Sequence, residues 1–209
     1  VKATPYQIAQ TVWYVLVTLG SLLFFYVLSV LWRVSVAEQD HFGRSCIVPL
    51  SFHPPAYCEP PVSGSFGQGT YTYIQHGKKI HVFKQLINGF RHTYGSALVS
   101  YELGGKVADL LFKLNEYVEA YDGTSTVELK YSLDTRKDLA NNIVGRKIGA
   151  SARGKKLFGA DAQQFMIDES LAAMERGEVL EHYLDPRVQK LPSTDEFGCP
   201  GLPQPKTNK

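Results

Sequence analysis

From Val12 to Trp32 the chain carries no charged residue. As a helix rising 1.5 Å per residue, this run covers about 30 Å, the thickness of a bilayer's hydrocarbon core. Trp13 and Tyr14 stand at one end and Trp32 at the other, where aromatic side chains settle among headgroups, and Arg33 closes the run. Thr4 and Pro5 supply a helix start, as N-cap and first-turn proline. The expectation is a short N-terminal segment, 1–11, followed by one transmembrane helix over 12–32. A cleaved signal peptide is the competing account, with Val34-Ser35-Val36-Ala37 as its small-residue site. Such peptides have shorter apolar regions, so a retained anchor is favoured. Lys2 precedes the span while Arg33 and Arg44 follow it with Glu38 and Asp40 between, so basic residues do not decide its orientation.

After the anchor, residues 33–69 read as a Pro- and Gly-rich collar. Pro49, Pro54, Pro55, Pro60 and Pro61 and the run Ser63-Gly64-Ser65-Phe66-Gly67-Gln68-Gly69 exclude a long helix there. Of the three cysteines, Cys46 and Cys58 bracket a loop that a single bridge could close, contributing about 3 kcal/mol. Two unpaired thiols are the alternative. A bridge requires an oxidising compartment, which tips the C-terminal domain towards the extracytoplasmic, periplasmic side. His41, Cys46, His53 and Cys58 match no standard zinc spacing, so no metal and no cofactor is assigned. The formal net charge of +2 gives no reason to expect nucleic acid.

Residues 70–190 read as a mainly helical domain of about four helices behind a β-hairpin. Thr70-Tyr71-Thr72-Tyr73-Ile74 and Ile80-His81-Val82-Phe83 are β-prone and flank His76-Gly77-Lys78, which suits a hairpin that caps the domain or adds an edge to a partner. Phe83, Leu86, Ile87, Phe90, Tyr94, Ala97, Leu98 and Tyr101 recur at three- and four-residue steps. The opposite face of that helix carries Asn88, His92, Gly95 and Val99 instead of Lys and Glu, so it should be covered on both sides. After Gly104-Gly105, a second helix is marked by Val107, Leu110, Leu111, Leu114, Tyr117, Val118 and Tyr121, ending at Asp122-Gly123. Thr124 to Leu133 reads as loop or short strand, with Asp134 or Thr135 capping a third helix. A fourth runs from about Asp161 to Arg176. Residues 191–209 form an irregular tail, of a kind ordered only by binding something.

The third helix carries a polar or small stripe of Asp138, Asn141, Asn142, Gly145 and Gly149. Such residues cost helix propensity, a cost that makes sense where another backbone comes close. Gly95 and Gly145 are expected to let the two helices cross, with Asn88, Arg91 and His92 hydrogen-bonding Asp138, Asn141 and Asn142. The patterns NxxRH (Asn88, Arg91, His92) and DxxNNxxGR (Asp138, Asn141, Asn142, Gly145, Arg146) resemble a bacterial helical domain of unknown function found in envelope, secreted and toxin-like proteins. The resemblance spans Phe83 to Gly149. Members of that family carry a His-Glu pair between the two motifs, where this chain has Glu116, Glu119 and Asp122 and no His.

Two functions suit these features. As an enzyme, the protein would use His92 as base, Asp138 to orient it and Arg91 to stabilise negative charge. Asn88, Asn141, Asn142 and Arg146 would then bind substrate, and a membrane-tethered hydrolase of an envelope polymer or lipid is the natural form. Ser96 lies one turn from His92 but lacks a nucleophile-elbow setting. As an accessory or scaffolding subunit of a larger membrane-protein complex, it would use the same residues as a polar network fixing how helices cross. Polar core residues are more often structural than catalytic, and no P-loop, dinucleotide, haem or HExxH motif is present, so the accessory subunit is favoured. Lipid is a partner in either case. Arg146, Lys147, Arg153, Lys155 and Lys156 form a basic cluster able to attract anionic headgroups, or simply a solvated helix end.

Overall fold

A computed structural model describes residues 4–42, 70–75, 78–121, 128–181, 183 and 185–202. Among these the chain is mainly helical: α1 (Pro5–Phe42), α2 (Lys84–Leu103), α3 (Gly105–Tyr121), α4 (Glu128–Gly154), α5 (Gly159–Glu175) and the single turn α6 (Pro186–Gln189). Between α1 and α2, β1 (Thr70–Gln75) and β2 (Lys78–Phe83) pair antiparallel with Tyr73 opposite Ile80. Cys46, His53 and Cys58, with the rest of the collar from residue 43, lie outside the described residues, as does Asp122.

The first helix is long and apolar enough to cross a membrane. It opens with a reciprocal cap: Gln7 N–H donates to Thr4 Oγ1 at 3.3 Å, and Thr4 N–H donates to Gln7 Oε1 at 2.9 Å. Its end differs from the expected stop at Arg33, because α1 continues through Phe42. Nothing within the described chain covers its earlier turns, where Trp13, Leu22, Phe25 and Leu28 are exposed. The last turns instead bury Val34, Ser35, Ala37, Glu38 and Phe42. That packing explains the continuation: what reads as the head of a collar is the part of α1 that docks on the domain.

The dock is α2, the helix around which the others assemble. Its residues 92–100 are all buried. Phe90 stacks on Tyr94, with ring centroids 5.6 Å apart, and meets Phe42 of α1 edge-on at 5.2 Å. One core joins Val34 and Phe42 of α1, Ile87, Phe90, Tyr94 and Leu98 of α2, Ile148 of α4 and Met166 and Leu171 of α5. Fully burying side chains of this size stabilises by about 1.5–3 kcal/mol each.

Three expected details are corrected. The fourth core-facing helix of the set, α4, starts at Glu128, so Thr135 and Asp138 lie inside it and neither Asp134 nor Thr135 is its cap. Leu133 there is buried beside Leu180 and Val188, and this apolar contact favours helix over the loop that local polarity suggests. On α3, Val107, Leu110, Leu114 and Val118 are exposed rather than core, leaving an apolar stripe on the outside of the domain. The tail is ordered as far as Leu202 by contacts within the chain. Cys199 and Leu202 bury against Leu139, and Tyr117 Oη donates to the Pro200 carbonyl at 2.8 Å.

Candidate functional site

The two sides of α2 are built from different chemistry. Towards α4 it presents Thr93, Ser96, Ala97 and Ser100, and α4 answers with Gly145 and Gly149. A methyl on Gly145 would collide with the Thr93 carbonyl and lie 2.9 Å from Ser96 Cβ; one on Gly149 would collide with the Ala97 carbonyl. The helices approach so closely that hydroxyls bond straight to the opposite backbone. Ser96 Oγ donates to the Asn142 carbonyl at 2.9 Å, Ser100 Oγ to that of Arg146 at 3.1 Å, and Thr93 Oγ1 to that of Asn141 at 3.5 Å. Gly145 thus does what its place in the sequence suggests, but Gly95 does not share the crossing. It faces Phe112 of α3 and Val34 of α1.

The motif residues divide among several partners. Arg91 does not reach α4; it donates from Nε to Glu38 Oε1 of α1 at 2.8 Å, with Glu38 fully buried. Asn141 clamps the chain after α5, donating from Nδ2 to the Leu180 carbonyl at 3.0 Å and accepting the Leu180 N–H at 2.8 Å. Asn88 accepts from Lys137 Nζ at 3.0 Å, a contact made possible by a lysine the motif reading passes over. Arg146 pairs with Asp109 of α3 at 3.1 Å, so it supports the fold beside the site rather than entering it. Both amide atoms of the fully buried Asn142 side chain lack a hydrogen-bond partner within the described chain.

His92 and Asp138 do come together, Nε2 to Oδ2 at 3.5 Å, with 8% and 4% of their side-chain surfaces exposed. Glu116 of α3, only 1% exposed, joins them, so that one ligand-type atom from each of the three lies within 4.8 Å of the others. His92 Nδ1 and Glu116 Oε1 are buried without a hydrogen-bond partner. Lys137 Nζ sits at the rim, 2.6 Å from Asp134 and 3.2 Å from Asp138. Burial disfavours its charge, but Asp138 and Asp134 outweigh that and hold its pKa above the usual lysine range.

Burial dominates the other titrations. It pushes His92 down to about 4, Glu119 opposing and Lys137 and Arg91 assisting, so the imidazole is neutral at pH 7. It raises Asp138 to about 7 against the pull of Lys137. It also raises Glu116 well above the usual carboxylate range, with Asp138 and Glu119 adding repulsion. In sequence Glu116 stands out only by its place between the two motifs, beside Glu119 and Asp122, on a stretch that reads as an ordinary amphipathic helix. Only the packing of α3 against α2 and α4 brings it to His92.

His92 also faces outward into a cleft of about 780 Å³ between α1, α2 and α3. One wall is Tyr26, Val27, Val30, Leu31 and Val34 of α1, continued by Leu111 and Phe112 of α3; Asn88, Arg91, His92, Asn115 and Glu119 supply polar groups. Comparison with family models, with curated proteins and with solved structures finds no match to this chain. The two motifs therefore stand on their own geometry.

Proposed function

We propose that the protein is a membrane-anchored hydrolase acting on an amphiphile at the bilayer surface. The observation that carries this reading is the cleft: its apolar wall belongs to the helix long enough to span the membrane, and its polar groups include His92 at the edge of a buried acid cluster. An acyl chain suits the wall formed by Val27, Val30 and Leu31, and a polar headgroup suits the opposite lining of Asn88, Asn115 and Glu119. Ser96 is fully buried and its hydroxyl is spent on the α4 backbone, so water rather than a side chain is the nucleophile. The His92 cluster is what activates it.

The same end of the domain suits a lipid surface. Glu102 at the end of α2 bonds Tyr26 and Arg33 of α1, and Arg153 reaches the neighbouring Tyr101 carbonyl. On this reading the turn after α4 faces the membrane, and Lys155, Lys156 and the 76%-exposed Phe158 offer charge and an apolar wedge to headgroups. On this reading the domain lies outside the cytoplasm, the side on which a bridge between Cys46 and Cys58 could form.

The test is turnover of fluorogenic phospholipid esters and phosphodiesters in mixed micelles by the full chain. Hydrolysis lost in His92→Ala, and blocked by Leu31→Trp filling the apolar wall, supports the reading. Turnover of none of these substrates, or turnover indifferent to both changes, sinks it.

A second reading, an accessory subunit of a larger membrane complex, is favoured by the stripe Val107, Leu110, Leu114 and Val118, which nothing in the described chain covers. Extraction in mild detergent with stoichiometric membrane subunits attached, released by Leu110→Glu, would support it over the hydrolase.

A further inference from the structure

We infer that His92, Glu116 and Asp138 form a site for one divalent first-row transition-metal ion. Each comes from a different helix, α2, α3 and α4, so the arrangement exists only in the folded domain. Their ligand-type atoms already lie within 4.8 Å of one another, and small side-chain adjustments bring such atoms to the separation that bonds of about 2.1 Å to one ion require. Two of the buried atoms without a hydrogen-bond partner among the described residues, His92 Nδ1 and Glu116 Oε1, are an independent sign. Buried polar atoms without partners are costly, and both belong to the proposed ligands.

Carboxyl groups also gather there: Asp134 and Asp138 lie 2.6 and 3.2 Å from Lys137 Nζ, with Glu116 beside Asp138. One imidazole with two carboxylates suits Zn²⁺, Mn²⁺ or Fe²⁺ better than Mg²⁺ or Ca²⁺, which prefer oxygen alone. Three protein ligands leave coordination positions open for water. His92 is the ligand that also lines the cleft, so water bound on that side meets whatever occupies it. The metal's catalytic role rests on the hydrolase reading; the binding site does not.

The experiment is metal titration of the full chain in detergent micelles, with Zn²⁺ and Mn²⁺ as probes and Mg²⁺ as control. The expected result is one Zn²⁺ or Mn²⁺ per chain, with affinity cut more than about tenfold in both Glu116→Gln and Asp138→Asn, the scale on which even outer-shell changes act. Circular dichroism of each variant confirms that the helices remain. Co²⁺ in the unaltered chain provides a reading that needs no variant: visible d–d bands without a thiolate charge-transfer band support the site. No binding, binding unchanged in both variants, preference for Mg²⁺, or a thiolate band overturns it. Binding that passes these tests with no lipid turnover keeps the metal site and discards the hydrolase.

Discussion

On its α4 side, α2 is sealed: glycine meets backbone, and each of three hydroxyls is spent on a carbonyl. Towards α1 and α3 it borders a cleft of about 780 Å³, and where His92 meets Glu116 of α3 and Asp138 of α4 lies a cluster whose buried atoms include several without partners. Both sides are polar and both are buried, so burial and polarity do not separate structure from function here. Completeness does. Hydroxyls bonded across the crossing have no capacity left for a ligand, whereas unpartnered atoms such as His92 Nδ1 beside a cleft, like those of Asn142 in the crossing, cost stability.

The contrast breaks if substitutions on the two sides behave alike. Arg91→Ala withdraws the guanidinium from fully buried Glu38 and should cost about 3 kcal/mol, measured by thermal unfolding in detergent. Gly145→Ala forces α2 and α4 apart and should cost about 2 kcal/mol in the same assay. A much smaller loss would mean that the seam is looser than described. Ser96→Ala, which gives up one hydroxyl bond, should cost about 1 kcal/mol. Glu116→Gln, like Arg91→Ala, lies away from the α4 crossing, but it acts on the cluster. It removes a carboxylate that burial already disfavours, so the metal-free domain should keep its melting temperature or gain slightly while metal binding and turnover fall. Cluster substitutions that unfold the protein would turn the cluster into one more seam.

The smallest effect expected is a local dependence on pH. Arg187 holds the Asp185 carboxylate below the usual aspartate range, chiefly through its side-chain hydrogen bond, and Asp185 also caps α6 by accepting the Arg187 N–H. The folded value lies below the unfolded one, near 3.9, so the contribution is present above that pH and is lost as pH falls through the folded value. Protection factors across 180–191, taken against the intrinsic exchange rate at each pH, should fall below about pH 4 and lose that dependence in Asp185→Asn.

Much of the frame is legible from local pattern. The uncharged run marks the helix long enough to span a membrane, Thr4 caps it, and the double-faced α2 motif marks the helix that is buried all round. What escapes local pattern is decided by contacts distant in sequence. Leu133 turns a polar, β-prone stretch into the first part of α4 because Leu180 and Val188 cover it. Val107, Leu110, Leu114 and Val118 repeat like core residues, yet α3 buries Ala108 and Glu116 instead. Arg91 and His92 are adjacent in one motif, but a helix turns each residue about 100° from the last. One therefore meets α1 and the other α3 and α4.

The chain by itself therefore determined where apolar surface must leave water and which helix must be covered on every side, because both follow from spacing along a single helix. Tertiary structure alone decided that Gly145 rather than Gly95 makes the close crossing, that Asn141 and Arg146 support while His92 faces the cleft, and that Glu116 completes the cluster. Those outcomes depend on which faces of separate helices meet, and the periodicity of one helix does not specify its neighbour.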